Sequence, residues 1–208
     1  NDWLSGLPSE DVAASTQEST ATTGSDDSTE AEEVGNTTFT NLTPEILCQD
    51  ISVAVAIAES LPDGPERDAA IHSVALEWAA HDPASAADWT VANMSGGAEL
   101  AVTVRTIVWD WALSDTDAAL AWIGGVGDDD ADVLKATVVM ALARTSPQAA
   151  ADILATMTGS DTKSNAVENL AYQWAMIDHA AALAWASALS DVDDRDRALD
   201  AVEKAADR

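Results

Sequence analysis

The sequence predicts an all-α chain: an α-solenoid of about four to five helical hairpins over residues 43–208, preceded by an extended Ser/Thr-rich arm over residues 1–42. Three observations lead there. Large side chains recur with a period near 32, alanine fills the positions between them, and residues 8–42 hold no Lys or Arg and almost no large apolar residue. A period of that length marks a stacked repeat, because one helical hairpin cannot bury its apolar face alone and needs a neighbour. The core composition agrees: eight tryptophans supply most of the bulk, with Phe39 and Tyr172 the single residues of their types, and alanine favours close-packed helices over a β-sandwich.

The arm comes first. Its Ser, Thr and scattered acids cannot bury enough surface to offset the entropy of ordering, so residues 8–42 read as a linker that is disordered or extended when alone. At its start, "NDWLSGLP" repeats the way later helices end, with Trp3 on the column of Trp185 and Leu7 on that of Leu189. The expectation is a hook: Trp3, Leu4 and Leu7 dock on a neighbouring copy across a linker that spans roughly 100 Å when extended. The competing expectation is that Trp3 folds back on its own chain.

From Thr43 the pattern turns helical. Thr43-Pro44 reads as an N-cap and first helical position for a helix over residues 44–61. Trp78, Trp111, Leu142 and Trp174 follow at separations of 33, 31 and 32, and each is answered 11 positions later by Trp89, Trp122, Ile153 and Trp185. Between the members of each pair lies a turn, with Asp82, Asp115, Ser146 and Asp178 in one column, positioned to accept from the free amides of the next helix. Ala86, Ala119, Ala150 and Ala182 stand three residues before each second bulky residue and let the backbones approach. Acidic, Gly-containing loops such as "LPDGPERD" and "GGVGDDDAD" link the hairpins and place carboxylates at the positive end of the next helix. These eight positions, Trp78, Trp89, Trp111, Trp122, Leu142, Ile153, Trp174 and Trp185, are the expected repeat core.

Over roughly residues 44–208 the chain resembles the tetratricopeptide-like superfamily of helical repeats in unit length, hairpin plan, a Trp in the first helix and small residues in the second. The Trp stands at the end of its helix, and the Gly and Tyr of the tetratricopeptide pattern are absent after it. The resemblance implies scaffolding or partner binding.

The frame of the repeat leads to a second expectation. Ile57 aligns with the tryptophans of the second helices, so residues 44–61 form a second helix without its first, while the segment from Asp191 reads as a first helix without its second. Complementary halves predict copies joined head to tail through Ile51, Ile57, Leu199 and Val202, in a contact that propagates as a filament unless it closes into a ring. The bland alternative is a polar capping helix, as repeat arrays require. Two functions follow: a self-assembling extracellular structural subunit, or a monomeric scaffold that binds a peptide or protein on its concave face.

Charge and motifs bound the rest. Acids outnumber bases 37 to 9, for a net charge of -28, which opposes binding to nucleic acid and to anionic membranes and favours a basic protein ligand. Cys48 is the sole cysteine, so an intrachain disulfide and a thiolate zinc site are excluded. No apolar run is long enough to span a membrane. Asn36, Asn41 and Asn93 head N-glycosylation sequons, and the arm admits O-linked sugar; together with a start at Asn1 these predict a secreted or cell-surface mature protein. No cofactor is expected. Asp191, Asp193 and Asp194 lack the glycine and terminal Glu of a calcium loop, and Asp128, Asp129, Asp130 and Asp132 read as a cap and solvated loop. His72, His81 and His179 occupy unrelated repeat positions, with no HExxH spacing or phosphate loop, so an enzyme is not expected. Trp109, beside Trp111, reads as core, with a ligand groove as the alternative.

Overall fold

The computed structural model describes residues 51–158 and 160–207. Ten α-helices make up its secondary structure among the described residues, and no strand occurs there. They are α1 (Ile51–Ser60), α2 (Pro65–Ala79), α3 (Pro83–Asn93), α4 (Ala98–Ser114), α5 (Thr116–Ile123), α6 (Asp128–Leu142), α7 (Pro147–Leu154), α8 (Ser160–Ala175), α9 (His179–Ala188) and α10 (Val192–Ala206). The predicted arm, with Trp3, Leu4, Leu7, Asn36 and Asn41, lies outside the described residues, as does Cys48.

Capping explains where the second helix of each hairpin begins. Asp82, Asp115 and Asp178 accept from the backbone N–H groups of Ser85, Ala118 and Ala181 at 3.0–3.1 Å, satisfying amides that have no partner inside the helix. Ser146 holds the same position without a side-chain cap, and Pro147 begins that helix instead. Hydrogen bonds from Ser85, through its side chain first and its backbone N–H second, hold the Asp82 carboxyl below its ordinary range. The contribution of an acid so shifted is complete above its unfolded pKa of 3.8 and disappears as pH falls through the lower folded value. Asp82→Ala is therefore expected to cost about 1 kcal/mol at neutral pH. Urea titrations of both proteins measure that gap, which closes in acid below the carboxylate range.

Between hairpins the chain turns sharply. Gly96 and Gly97 sit at φ 94° and 80° ahead of α4, in backbone that a side chain strains. The loops are then tied to helices by buried acids. Asp68 of α2 accepts from Ser95 N–H at 3.0 Å and Ser95 Oγ at 3.2 Å; Asp132 of α6 does the same for Thr158 at 2.9 and 3.2 Å. This corrects the reading of the acidic run: Asp130 and Asp132 are buried within α6 rather than solvated.

Packing follows chain order. The even-numbered helices rest on one another in succession, α2 on α4, α4 on α6, α6 on α8 and α8 on α10, while each odd-numbered helix lies against the even helices on either side of it in sequence. The alanine column makes this approach possible: Ala86, Ala119, Ala150 and Ala182 are fully buried, and Ala54 of α1 holds the same place with the same burial. Removing Cβ-distal atoms at a helix contact lets axes approach to about 8 Å, at the close end of the usual range.

The bulky column adjoins it. Trp78 meets Trp89 with ring centroids 5.9 Å apart, Trp111 meets Trp122 at 6.2 Å, and Trp174 meets Trp185 at 5.7 Å, all tilted. Leu142 and Ile153 replace the pair in the remaining hairpin, both buried. Trp78, Trp89, Trp122 and Trp185 are half-buried and pack against the core. The indole explains the exposure where its N–H has a partner: Trp89 donates to Glu59 and Trp122 to Asp88, each at 2.8 Å, keeping the ring inside and its polar edge at the surface.

Candidate partner-binding face

A step of two residues along an α-helix turns a side chain by about 200°, to the opposite side. Residues two places before the column of Trp78 and Trp111 therefore turn to the other side, although Leu76 and Tyr172 among them still pack against the core. They are Leu76, Trp109, Met140 and Tyr172, on α2, α4, α6 and α8. Trp109 is 36% exposed and Met140 37%, with Leu76 and Tyr172 half-buried. The separations match those of the core column, and on α4 and α6 the side chain at this position is exposed. Seven residues earlier on the same side come Ala69, Val102, Val133 and Asn165, of which Val102 is 50% exposed.

Polar bonds lock neighbouring even helices together beneath this face. His72 Nδ1 lies 2.8 Å from Thr103 Oγ1, and Thr103 donates its own proton to Glu99 O at 2.8 Å, so the histidine nitrogen is the donor. Arg105 Nε donates to Thr137 Oγ1 at 3.3 Å, whose proton goes to Val133 O. Ser164 donates to Asp194 at 2.9 Å and Lys204 to Glu168 at 3.1 Å.

Hollows open between these helices. One of about 410 Å³ lies between α2 and α4 and is bordered by His72, Met94, Glu99 and Val102. Another of about 290 Å³ lies between α4 and α6, against Val102, Arg105, Trp109 and Thr137. A third of about 350 Å³, between α8 and α10, is lined by Asn169, Tyr172, Gln173 and Lys204.

The residues expected to carry function fall mostly elsewhere. Val202 is 2% exposed and packs within its own chain, because the apolar stripe of α10 is covered by α8 and α9; its role as a contact between copies is corrected accordingly. Leu199, Ile51 and Ile57 are half-buried. The uncovered side of α10 carries Asp196, Arg197, Asp200 and Glu203. Asn93 ends α3, half-buried, with its Nδ2 donating to Trp89 O at 2.9 Å, while Ser95 of the same sequon is held by Asp68. Asp191 caps α10 by accepting from Asp194 N–H at 3.0 Å, and Lys163 lies 3.8 Å from Asp194. Among the described residues no three His, Cys, Asp or Glu side chains are grouped to hold a metal, and no helix is long and apolar enough to cross a membrane. Trp109 is corrected from core to surface. Comparison of the chain with family models, curated proteins and solved structures finds no match in any of the three.

Proposed function

We propose that the chain is an α-solenoid adaptor, a divergent relative in plan of the tetratricopeptide-like repeats, that binds a protein partner across the face of its even-numbered helices. The observation that carries this reading is the pair Trp109 and Met140, exposed apolar side chains at the same repeat position on α4 and α6, with Leu76 and Tyr172 half-buried at that position on α2 and α8. Scattered exposed apolar residues need no explanation, but a row of them does. The partner presents apolar side chains at that spacing. A net charge of -28 favours basic flanks on it, which speed its approach.

Peptides displayed on phage and selected on the chain test this. Selected peptides are expected to be apolar and basic, and to lose about 30-fold in affinity for each of Trp109→Ala and Met140→Ala, the usual loss at an aromatic or buried anchor. Selected peptides whose affinity neither substitution changes would overturn it.

A second reading, head-to-tail association of copies into an extracellular filament with the arm joining neighbours, draws on α1, where Val53 is 46% exposed beside Ile51 and Ile57. Sedimentation velocity on the full chain separates the two. A mass that rises with concentration supports assembly, and a single monomer mass across the range supports the adaptor.

A further inference from the structure

Arg105 joins a missing carboxylate to a place beside a hollow. In a chain of 37 acids and 9 bases, Arg67 pairs with Asp63, Lys135 with Asp132, Lys163 with Asp194 and Lys204 with Glu168, while Arg144, Arg195 and Arg197 have no carboxylate partner among the described residues. Arg105 is half-buried on α4 and has no carboxylate partner among the described residues. Its Nε–H is taken by Thr137 Oγ1. That hydroxyl receives because its proton is committed to Val133 O, and the terminal N–H groups of the guanidinium are left over. Thr106 adds no donor, since its hydroxyl donates to Val102 O at 2.9 Å.

The terminal N–H groups of Arg105 stay open to water, since Arg67 Nε is the one buried side-chain nitrogen or oxygen without a partner among the described residues, and an anion in the hollow can therefore reach them. The guanidinium borders the hollow of about 290 Å³ between α4 and α6, whose other borders include Val102 and the exposed ring of Trp109. We propose that this hollow is a carboxylate-binding site. Arg105 pairs with the carboxylate through its terminal N–H groups, and Val102 with Trp109 receives the apolar group that carries it. The planar fork of Arg suits this task better than an ammonium would. The site selects against phosphate-rich ligands, because a single cation on so acidic a chain neutralises one negative charge and no more.

This inference rests on the adaptor reading for its biological use, but its test does not. In isotope-labelled full chain, nuclear magnetic resonance follows the Arg105 side-chain N–H and the Trp109 indole N–H during titration with 3-phenylpropionate. Saturable shifts at both are expected, with a Kd of about 1 mM, ordinary for so small a ligand. The neutral isostere 3-phenylpropanamide is expected to bind at least about tenfold more weakly, and Arg105→Gln to lose a similar factor. Arg105→Lys, which keeps the charge and loses the fork, is expected to fall between, and an otherwise unchanged spectrum of each variant shows that it is folded. N-acetylphenylalanine separates the sources of the carboxylate: affinity at least equal to that of 3-phenylpropionate assigns the site to a peptide terminus, and weaker binding assigns it to a free acid. Equal binding of acid and amide, unchanged affinity in folded Arg105→Gln, or the absence of saturable shifts overturns the proposal. Selected peptides that depend on Trp109 and Met140 would still stand if it fell.

Discussion

Trp111→Ala is expected to lower the stability of the chain by about 3–5 kcal/mol, the usual cost of emptying a buried aromatic site. Trp111 is the largest side chain of α4 to be buried, its ring meets Trp122 at 6.2 Å, and its carbonyl accepts from Asp115 N–H at 2.7 Å at the turn into α5. The alanine leaves a cavity at the joint between the two helices, beside the ring of Trp122. A fall in Tm on the order of 10 °C follows for a chain of this size. Trp109→Ala is the internal control: two residues away and 36% exposed, it is expected to cost no more than about 1 kcal/mol. Thermal melts of both variants read the difference. Equal losses would mean that the core and outer sides of α4 have been assigned the wrong way round.

Ala119→Leu is the second large effect, in the opposite sense of volume. Ala119 is fully buried where α5 meets its neighbours, and three added carbons there have to push two backbones apart or take a strained rotamer. About 3 kcal/mol is expected, at the upper end for overpacking, because Ala119 is fully buried. Ala121→Leu, on the exposed side of the same helix, is expected to change stability by less than about 0.5 kcal/mol. Chemical denaturation of the two variants decides, and a tolerated Leu at position 119 would contradict the close approach of the helices.

Much of this arrangement was legible in the residues. Asp82, Asp115 and Asp178 could be placed as caps from their type and column, because a short acceptor just ahead of an apolar helix has few other uses. The alanine column was legible for a similar reason: a side chain that small, recurring in register, marks a helix contact. The outer column was not. Leu76, Trp109, Met140 and Tyr172 differ in type, and tryptophan has a strong prior for the core, so nothing in the residue identities separated Trp109 from Trp111. Only the rotation of α4 about its axis does that, and in a helix with apolar residues on both sides the periodicity leaves that rotation open. The buried acids are hidden from the sequence for the opposite reason. Asp132 looks like surface until the loop that returns to it brings Thr158 within hydrogen-bonding distance, 26 residues away in sequence. Val202 is legible as part of an apolar stripe, but that α8 and α9 cover the stripe is not.

One hairpin plan repeated in register is the basis of the whole account, since it aligns the outer column into a face. Spin labels on cysteines introduced at Ser73 and Asn169, with Cys48 replaced by Ser, measure it most directly. The two positions hold equivalent places on α2 and α8, three helix-to-helix steps apart, and each step is about 8–10 Å. Pulsed electron–electron spectroscopy is therefore expected to give a single distance distribution centred at about 25–30 Å. A distribution centred below about 15 Å, with α8 folded back beside α2, would contradict it.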